Sequence, residues 1–439
     1  MTDVTMEKIV SLCKRRGFIY PGSEIYGGLS GTWDYGPLGV ELKNNIKSLW
    51  WKMFVQERED MYGMDAAILM HPKVWEASGH VVGFSDPLVE CTKCKRRYRM
   101  DQVVSPPAGG CPECGGSFGE VRQFNMMFKT HIGAAEDEAS ISYLRPETAG
   151  GIFVNFKNVV DSFHPKLPFG IAQIGKAFRN EIAPRDFLFR VREMEQMEIE
   201  YFVRSEEWEK SFEDWRAECT RFIEMVGIPR ASVHELEVPD GERAHYSRRT
   251  IDFEFDFPFG RKELLGLAYR TDFDLSAHAK ASGVDISYLE EGGERIVPHV
   301  IEPSFGVDRT ILALLVSAYT EDELGGEPRT YLKFNPAVAP VKAAVFPLLK
   351  NKPELVKKAR EVYELLKLET RNSNLGAIAW DDNGNIGKRY RRQDEIGTPS
   401  CITIDFQTLE DNTVTVRDRD TGEQERFLVK EILSAIHGQ

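Results

Sequence analysis

The 439-residue chain has no apolar run long enough to cross a bilayer. Its longest, Thr310–Tyr319 (TILALLVSAY), is about half of the roughly 20 residues a spanning helix needs. The opening MTDVTMEKIV lacks a basic stretch followed by an apolar block, so no secretory signal is expected, and the cytoplasm is the expected compartment. Positive charge is not in excess. Lys and Arg total 56 against 69 Asp and Glu, a net of −13, which excludes a general nucleic-acid coat. Local basic patches for one RNA remain open, because the local field steers a polyanion. Cysteine is scarce and odd in number, at seven. Four stand in two tight pairs while Cys13, Cys219 and Cys401 are scattered, which suits a reducing compartment better than a disulfide framework. There is no internal repeat and no low-complexity tract. What is left is the composition of an ordinary globular protein with room for two or three domains.

Helical spacing of Leu42, Ile46, Leu49, Trp50 and Met53 predicts a helix. The following MDAAILMHPKVW reads as a strand ended by Pro72. Strand-like segments then dominate, among them FGIAQIGKAFRNE, FRVREMEQMEIEYFV, TIDFEFDFPFG and KELLGLAYRTDFDL, which predicts a large antiparallel sheet with helices around it. The acidic TEDELGGEPRTYLKFNP reads as a linker. Beyond it, VKAAVFPLL, KPELVKKAREVYELLKLE, LGAIAWDD and SCITIDF alternate strand with helix, as in a small α/β domain of mixed pairing.

Residues 178–202, FRNEIAPRDFLFRVREMEQMEIEYF, thread charge through an apolar stretch. Pro184 and Asp186 supply turn chemistry, so an antiparallel hairpin with a long loop is expected. Alternation then sets Arg179 with Glu181 on one strand, and Arg190, Arg192, Met194, Gln196 and Glu198 on the other. Such a face offers guanidinium forks to phosphate and carboxylates to an amine. Cross-strand ion pairs on an exposed sheet account for the pattern equally well. EPSFGVDRT adds Glu302, Ser304 and Arg309 on a strand–turn–helix whose helix N-terminus and arginine suit an anion. Cys91, Cys94, Cys111 and Cys114 form two C-x-x-C knuckles around the turn-rich SPPAGG, the ligand count of a structural zinc ribbon. A reduced or redox-active pair is the bland alternative. Lys388, Arg389, Arg391 and Arg392 make the densest basic patch, with Tyr390 interleaved, as single-stranded RNA recognition uses. A solvated run balanced by Asp394 and Glu395 fits it too.

FRNE with its loop, FRVREMEQMEIE, and GVDR opening a helix resemble the second and third signature motifs of class II aminoacyl-tRNA synthetases. The helix–strand from Leu42 to Lys73 would be the first. SEIYGGLSGTWDYGPLGVELKNNIK, LRPETAGGIFVNFKNV and GNIGKRYRRQDEIGTPSCITID are similar to the dimeric glycyl-tRNA synthetases. The resemblance implies an α+β fold: a class II antiparallel sheet flanked by helices, a zinc-ribbon-like insert and a C-terminal α/β anticodon-binding domain. Catalytic parts would span 1–89 and 122–335, the insert 90–121 and the anticodon-binding domain 336–439.

It further implies activation of glycine with ATP and transfer to tRNA(Gly) by a homodimer, with Mg2+ as cofactor and structural Zn2+ on the four cysteines. Arg179 would hold the α-phosphate, Glu181 would accept from the adenine amine, and Arg190 and Arg309 would sit on the pyrophosphate. The implied ATP set continues through Asn180, then Phe189, Val191, Arg192, Glu193 and Met194, then Glu263 and Leu264, and Gly306, Val307 and Asp308 beside Arg309. Glu263 would also hold magnesium. Glycine's ammonium would meet Glu147, Glu198, Glu302 and Ser304, with Arg99 touching substrate. The glycine set extends to Met194, Glu195, Gln196, Met197, Pro303, Phe305 and Gly306. Lys388, Arg389, Arg391 and Arg392 would bind tRNA, near Trp380 and Asp382. Two positions depart from the family: Met194 stands for an aromatic beneath adenine, and Gly150 for a glutamine. A synthetase-like RNA-binding protein without activity, and a sister enzyme for proline, threonine or serine, are the competing readings.

Overall fold

The computed structural model describes residues 4–103, 110–134, 136–244, 246–373 and 376–437, so most of the SPPAGG turn lies outside the described residues. Seven strands form the larger sheet: β1 (Met61–Met64), β2 (Phe169–Phe178), β3 (Glu193–Val203), β4 (Val233–Glu237), β5 (Arg249–Phe257), β6 (Gly260–Thr271) and β7 (His299–Gly306). They lie in the order β4-β5-β6-β7-β3-β2-β1, antiparallel throughout except for the parallel edge pair β1–β2.

Period-two alternation gives this sheet two unlike faces. Met197, Ile199, Tyr201 and Val203 of β3 join a core with Trp50, Phe54, Trp215, Phe222 and Phe305. Met194, Gln196, Glu198 and Glu200 point the other way. Pairing sets Glu198 level with Gln173 of β2 and Ser304 of β7, and Ser304 level with Gly266 of β6. A polar row thus crosses four strands.

Helix α1 (Pro37–Trp51) closes the apolar face as expected: Leu42, Ile46 and Trp50 are fully buried. Pro37 opens it, where a missing N–H leaves no bond unmade. Gly39 runs so close to the Phe18 carbonyl that a Cβ would stand 1.9 Å from the oxygen, which only glycine avoids. Helix α2 (Ala149–Phe163) covers the far end of the polar face, its Phe156 packing on Phe169 and Phe202. Helix α3 (Val307–Ala318) leaves β7 directly and is almost wholly buried.

Two expectations are corrected. MDAAILMHPKVW is not a strand ended by Pro72: β1 stops at Met64, and Pro72 instead caps a short helix, Lys73–Ala77. The reason is competition for the backbone, since buried Arg145 takes the Ala66 carbonyl at 2.7 Å. The acidic "linker" is a hairpin, Tyr319–Leu324 with Glu327–Leu332, turned by Gly325 and Gly326, both at positive φ.

The second sheet runs Ile378–Trp380, Ala343–Pro347, Ser400–Ile404, Thr413–Asp418, Gln424–Leu428. The first two pairings are parallel and the last two antiparallel, the mixed α/β pattern expected, with helices α4 (Pro353–Ser373) and α5 (Ile386–Ile396). Among the described residues no helix is long and apolar enough to cross a membrane.

Candidate active site

Two adjoining cavities open on the polar face. The first, about 220 Å³, is lined by Arg99, Arg179, Arg190 and Arg309 with Phe189 and Glu263. The second, about 260 Å³, is lined by Glu147, Glu198 and Glu302 with Tyr246 and Asp252. Arg179, Gln196, Glu263 and Ser304 border both.

The arginines arrive by different routes. Strand β2 ends at Phe178 and β3 begins at Glu193, so Arg179, Glu181, Arg190 and Arg192 lie on the connecting loop and not, as expected, on the strands. Arg179 Nε donates to the Pro146 carbonyl at 3.1 Å, and its guanidinium lies 5.4 Å from the Phe84 ring. Arg185 and Arg190 pair across the loop. The turn between them holds Asp186 and Phe187 at φ 58°, a left-handed conformation that is rare for a bulky side chain. Trp33 clamps Phe187 edge-on at 4.7 Å. Arg309, in the first turn of α3, lies over Phe189 at 4.5 Å and meets Glu263 Oε2 at 2.9 Å. Burial, then the neighbouring Arg99, Arg185 and Arg309, draw the Arg190 pKa down against the pull of Glu181. Arg309 first of all holds Glu263 below the usual carboxylate range. The first cavity thus gathers four guanidiniums, of which Arg99, Arg190 and Arg309 already face Asp86, Glu181 and Glu263, at 2.8, 3.7 and 2.9 Å.

The second has the opposite character. Glu198 caps α2, accepting from the Thr148 and Ala149 amides at 3.0 and 2.9 Å, while its other oxygen takes Gln196 Nε2 and Ser304 Oγ, each at 2.8 Å. Glu302 accepts from Arg270 at 2.7 Å. Burial pushes Glu302 up to about 8; Arg270 opposes this, and Glu198 and Glu147 add to it. Burial and Glu147 likewise raise Glu198. Glu147 is held down at about 2, because His80, Arg270 and Arg179 outweigh its burial.

Most residues expected at the site line these cavities, and several do not. Met197 and Phe305 are fully buried on the apolar face, and Pro303 lies level with Leu267 on that face, so none of the three lines either cavity. Glu195 turns to Lys43 and Lys47, at 2.6 and 3.1 Å, although its backbone stays at the cavity edge. Val307 is core. Arg192 donates to the Ser30 and Glu181 carbonyls, Glu193 pairs with Lys176, and Asn180 touches Met126 through its amide. Where glutamine was expected, a Cβ on Gly150 would come 2.8 Å from the Trp75 ring, so the indole takes that space.

Sequence reasoning missed four polar groups here. Arg270 is buried, stacked 3.8 Å from the centre of the Tyr246 ring, and paired with Asp274 as well as Glu302. Asp252 lies near Glu263 over Gly266, and burial with Glu263 and Glu254 pushes it up to about 7. Glu200 is fully buried beside them. The alternation in TIDFEFDF and the four-residue spacing of Arg270 and Asp274 were available signals; nothing marked Tyr246.

Away from the cavities, the sulfurs of Cys91, Cys94, Cys111 and Cys114 all lie within 4.8 Å of one another. In α5 the basic patch divides. Arg389 is 1% exposed and donates to the Pro347, Asp382 and Gly384 carbonyls, so it ties the domain together and offers nothing to RNA. Arg392 grips Asp381, Arg391 is half-buried, and Lys388 is exposed.

Residues 128–318 match the family model described as "tRNA synthetase class II core domain (G, H, P, S and T)", and residues 342–439 match "Anticodon binding domain". The chain is similar to curated proteins named glycine--tRNA ligase. It is 50% identical over 456 residues to that of Caldanaerobacter subterraneus subsp. tengcongensis, covering 98% of this chain and 97% of that one. It is 51% identical over 463 residues to that of Clostridium tetani (99% and 98%), and 51% over 454 to that of Thermobifida fusca (97% and 96%). Sharing half its residues with these relatives over nearly its whole length, and carrying a class II core ahead of an anticodon-binding module, the chain belongs to the glycine--tRNA ligase family.

Proposed function

We propose that this enzyme activates glycine with ATP and transfers it to tRNA(Gly) for protein synthesis. The observation that carries the reading is the meeting of a cavity lined by four arginines and an acidic cavity at Arg179 and Ser304. Glycine's carboxylate oxygen attacks the α-phosphorus, and the bond to the pyrophosphate oxygen breaks. No protein nucleophile is required, so catalysis is positioning and charge neutralisation. Arg179, on the shared wall, holds the α-phosphate; Arg190 and Arg309 take the pyrophosphate; Phe189 and Met194 border the adenine. Class II synthetases use ATP with Mg2+, and Glu263, beside Asp252, is the carboxylate that would hold it. Glu147, Glu198, Glu302 and Ser304 receive the ammonium. One extra methylene is worth only about 1–3 kcal/mol by attraction, so alanine must be refused by shape. The reading carries with it a homodimer, inferred from the resemblance, acting in the cytoplasm, the compartment expected from the sequence. ATP–pyrophosphate exchange with glycine, alanine, serine, proline and threonine in turn tests it. Exchange with glycine alone is expected; exchange with none would select the inactive RNA-binding reading.

The acid pair sets a pH dependence. Glu302, raised to about 8, keeps its proton at neutral pH until substrate arrives and must lose it to face an ammonium. The KM for glycine should fall as pH rises from 6 towards 8.5, by up to about tenfold per unit. Glu302→Gln should remove the slope, and a slope that survives in this variant contradicts the assignment.

The four cysteines fit zinc. Thiolates about 2.3 Å from a tetrahedral ion stand roughly 3.8 Å apart, and two of the sulfur pairs here are at 3.5 and 3.6 Å. With four protein ligands the site is closed and structural. It sits at the end of the strands Ser85–Glu90 and Arg97–Arg99, which bring Arg99 to Asp86 at 2.8 Å and on into the first cavity. About one zinc per chain is expected by metal analysis. Cys111→Ser should raise the KM for ATP severalfold while the KM for glycine moves little. A folded preparation free of zinc would remove this assignment.

A further inference from the structure

Behind the acidic cavity lies a group that the proposed chemistry leaves unused. His80 is buried, and its Nε2 stands 3.4 Å from Glu147 Oε2. Its other ring nitrogen, Nδ1, is 2.8 Å from Ser78 Oγ, which also reaches the Trp75 carbonyl at 3.4 Å. Gly79, at φ +83°, makes the sharp bend that lets residues two apart in sequence meet in this way. The imidazole is held edge-on by Trp75 at 5.5 Å and lies 5.4 Å from Phe84, whose ring carries the Arg179 guanidinium. Asn125 Nδ2 donates to the carbonyls of His80 and Val81 and fixes the backbone. A ring nitrogen facing a carboxylate carries the proton. Whichever way the Ser78 hydroxyl points, the Nε2–H therefore faces Glu147 Oε2 across 3.4 Å. The long contact is of the kind that tightens when substrate arrives.

We infer that His80 is a positioning residue for amino-acid recognition: clamped by Ser78 and Trp75, it holds one oxygen of Glu147 so that the other faces the ammonium of glycine. The inference rests on the proposed role of Glu147 in binding glycine. It differs from a packing role because it predicts an effect on one substrate and rescue by one isostere.

Pyrophosphate exchange under varied glycine and varied ATP decides it, with thermal melting to monitor folding. His80→Ala should raise the KM for glycine about tenfold or more and leave the KM for ATP within twofold. His80→Gln, whose amide nitrogen reaches the Nε2 position, should recover to within about threefold of the parent; His80→Asn, which replaces only Nδ1, should not. Should His80→Ala fail to fold, Ser78→Ala carries the test, with an expected rise of threefold or more in the KM for glycine alone. Equal rises for both substrates, or a well-folded His80→Gln no better than His80→Asn, would overturn the inference. Glu147→Gln separates the two levels. If it weakens glycine while His80 and Ser78 variants do not, the positioning role fails alone. If it leaves glycine binding unchanged, the role of Glu147 fails and takes the inference with it.

Discussion

Arg179→Ala should abolish glycine-dependent pyrophosphate exchange, with a loss of about 10³-fold or more in a protein that melts as the parent does. Removing one preorganised donor from a developing oxyanion costs about 10²–10³-fold, and Arg179 stands on the wall common to both cavities, where the proposed reaction would bring both reactants to it. Little rests on it structurally: it makes one hydrogen bond to the Pro146 carbonyl and lies on one ring. Lys388→Ala is the control at the other end of the molecule. Lys388 is exposed on α5, so exchange should be unchanged while tRNA charging weakens severalfold. If both variants lose exchange equally, the division between an activating centre and an RNA-reading module is wrong.

The second large effect concerns stability. Asp394 is wholly buried and holds Arg417 with two bonds, at 2.8 and 3.0 Å, while Arg329 of the hairpin approaches at 3.5 Å. Asp394→Ala leaves Arg417 buried without its counter-charge, while Arg329 keeps Asp322 at 2.6 and 2.8 Å, and breaking a buried pair in this way costs about 3–5 kcal/mol. Amide exchange across Ser400–Ile404 and Thr413–Asp418 should quicken by about 10²-fold or more, while pyrophosphate exchange stays near that of the parent. Unchanged protection in those strands would show that the Arg417 guanidinium finds another partner once Asp394 is gone.

Asp394 also shows where reading the sequence stops. In GKRYRRQDE it looks like a solvated acid that balances its neighbours, because charge in a polar helix gives no sign of which residue turns inward. Only the folded hairpin, itself hidden in an acidic stretch that resembled a linker, brings Arg329 to it. Arg389 misled for the same reason. The motifs of the class II core were legible because they combine residue type, order and a turn, and Arg179, Arg190 and Arg309 do converge. Period-two alternation placed Met194, Gln196 and Glu198 on the ligand face and, read strictly, would have rejected Met197 and Phe305. The patterns holding Asp252 and Arg270 were there to read but did not say what the two side chains face, Glu263 and Glu302, and nothing local marked Tyr246.

The left-handed pair at Asp186 and Phe187 has a consequence for how fast the nucleotide is captured. Two residues in a costly conformation persist only where their surroundings insist on it, and here Trp33, some 150 positions earlier in the chain, does the insisting. The loop that carries Arg190 therefore has its shape before ATP arrives, and little binding free energy goes into ordering it. Loosening that distant indole would show first as slower productive encounters, with every arginine of the cavity still in place.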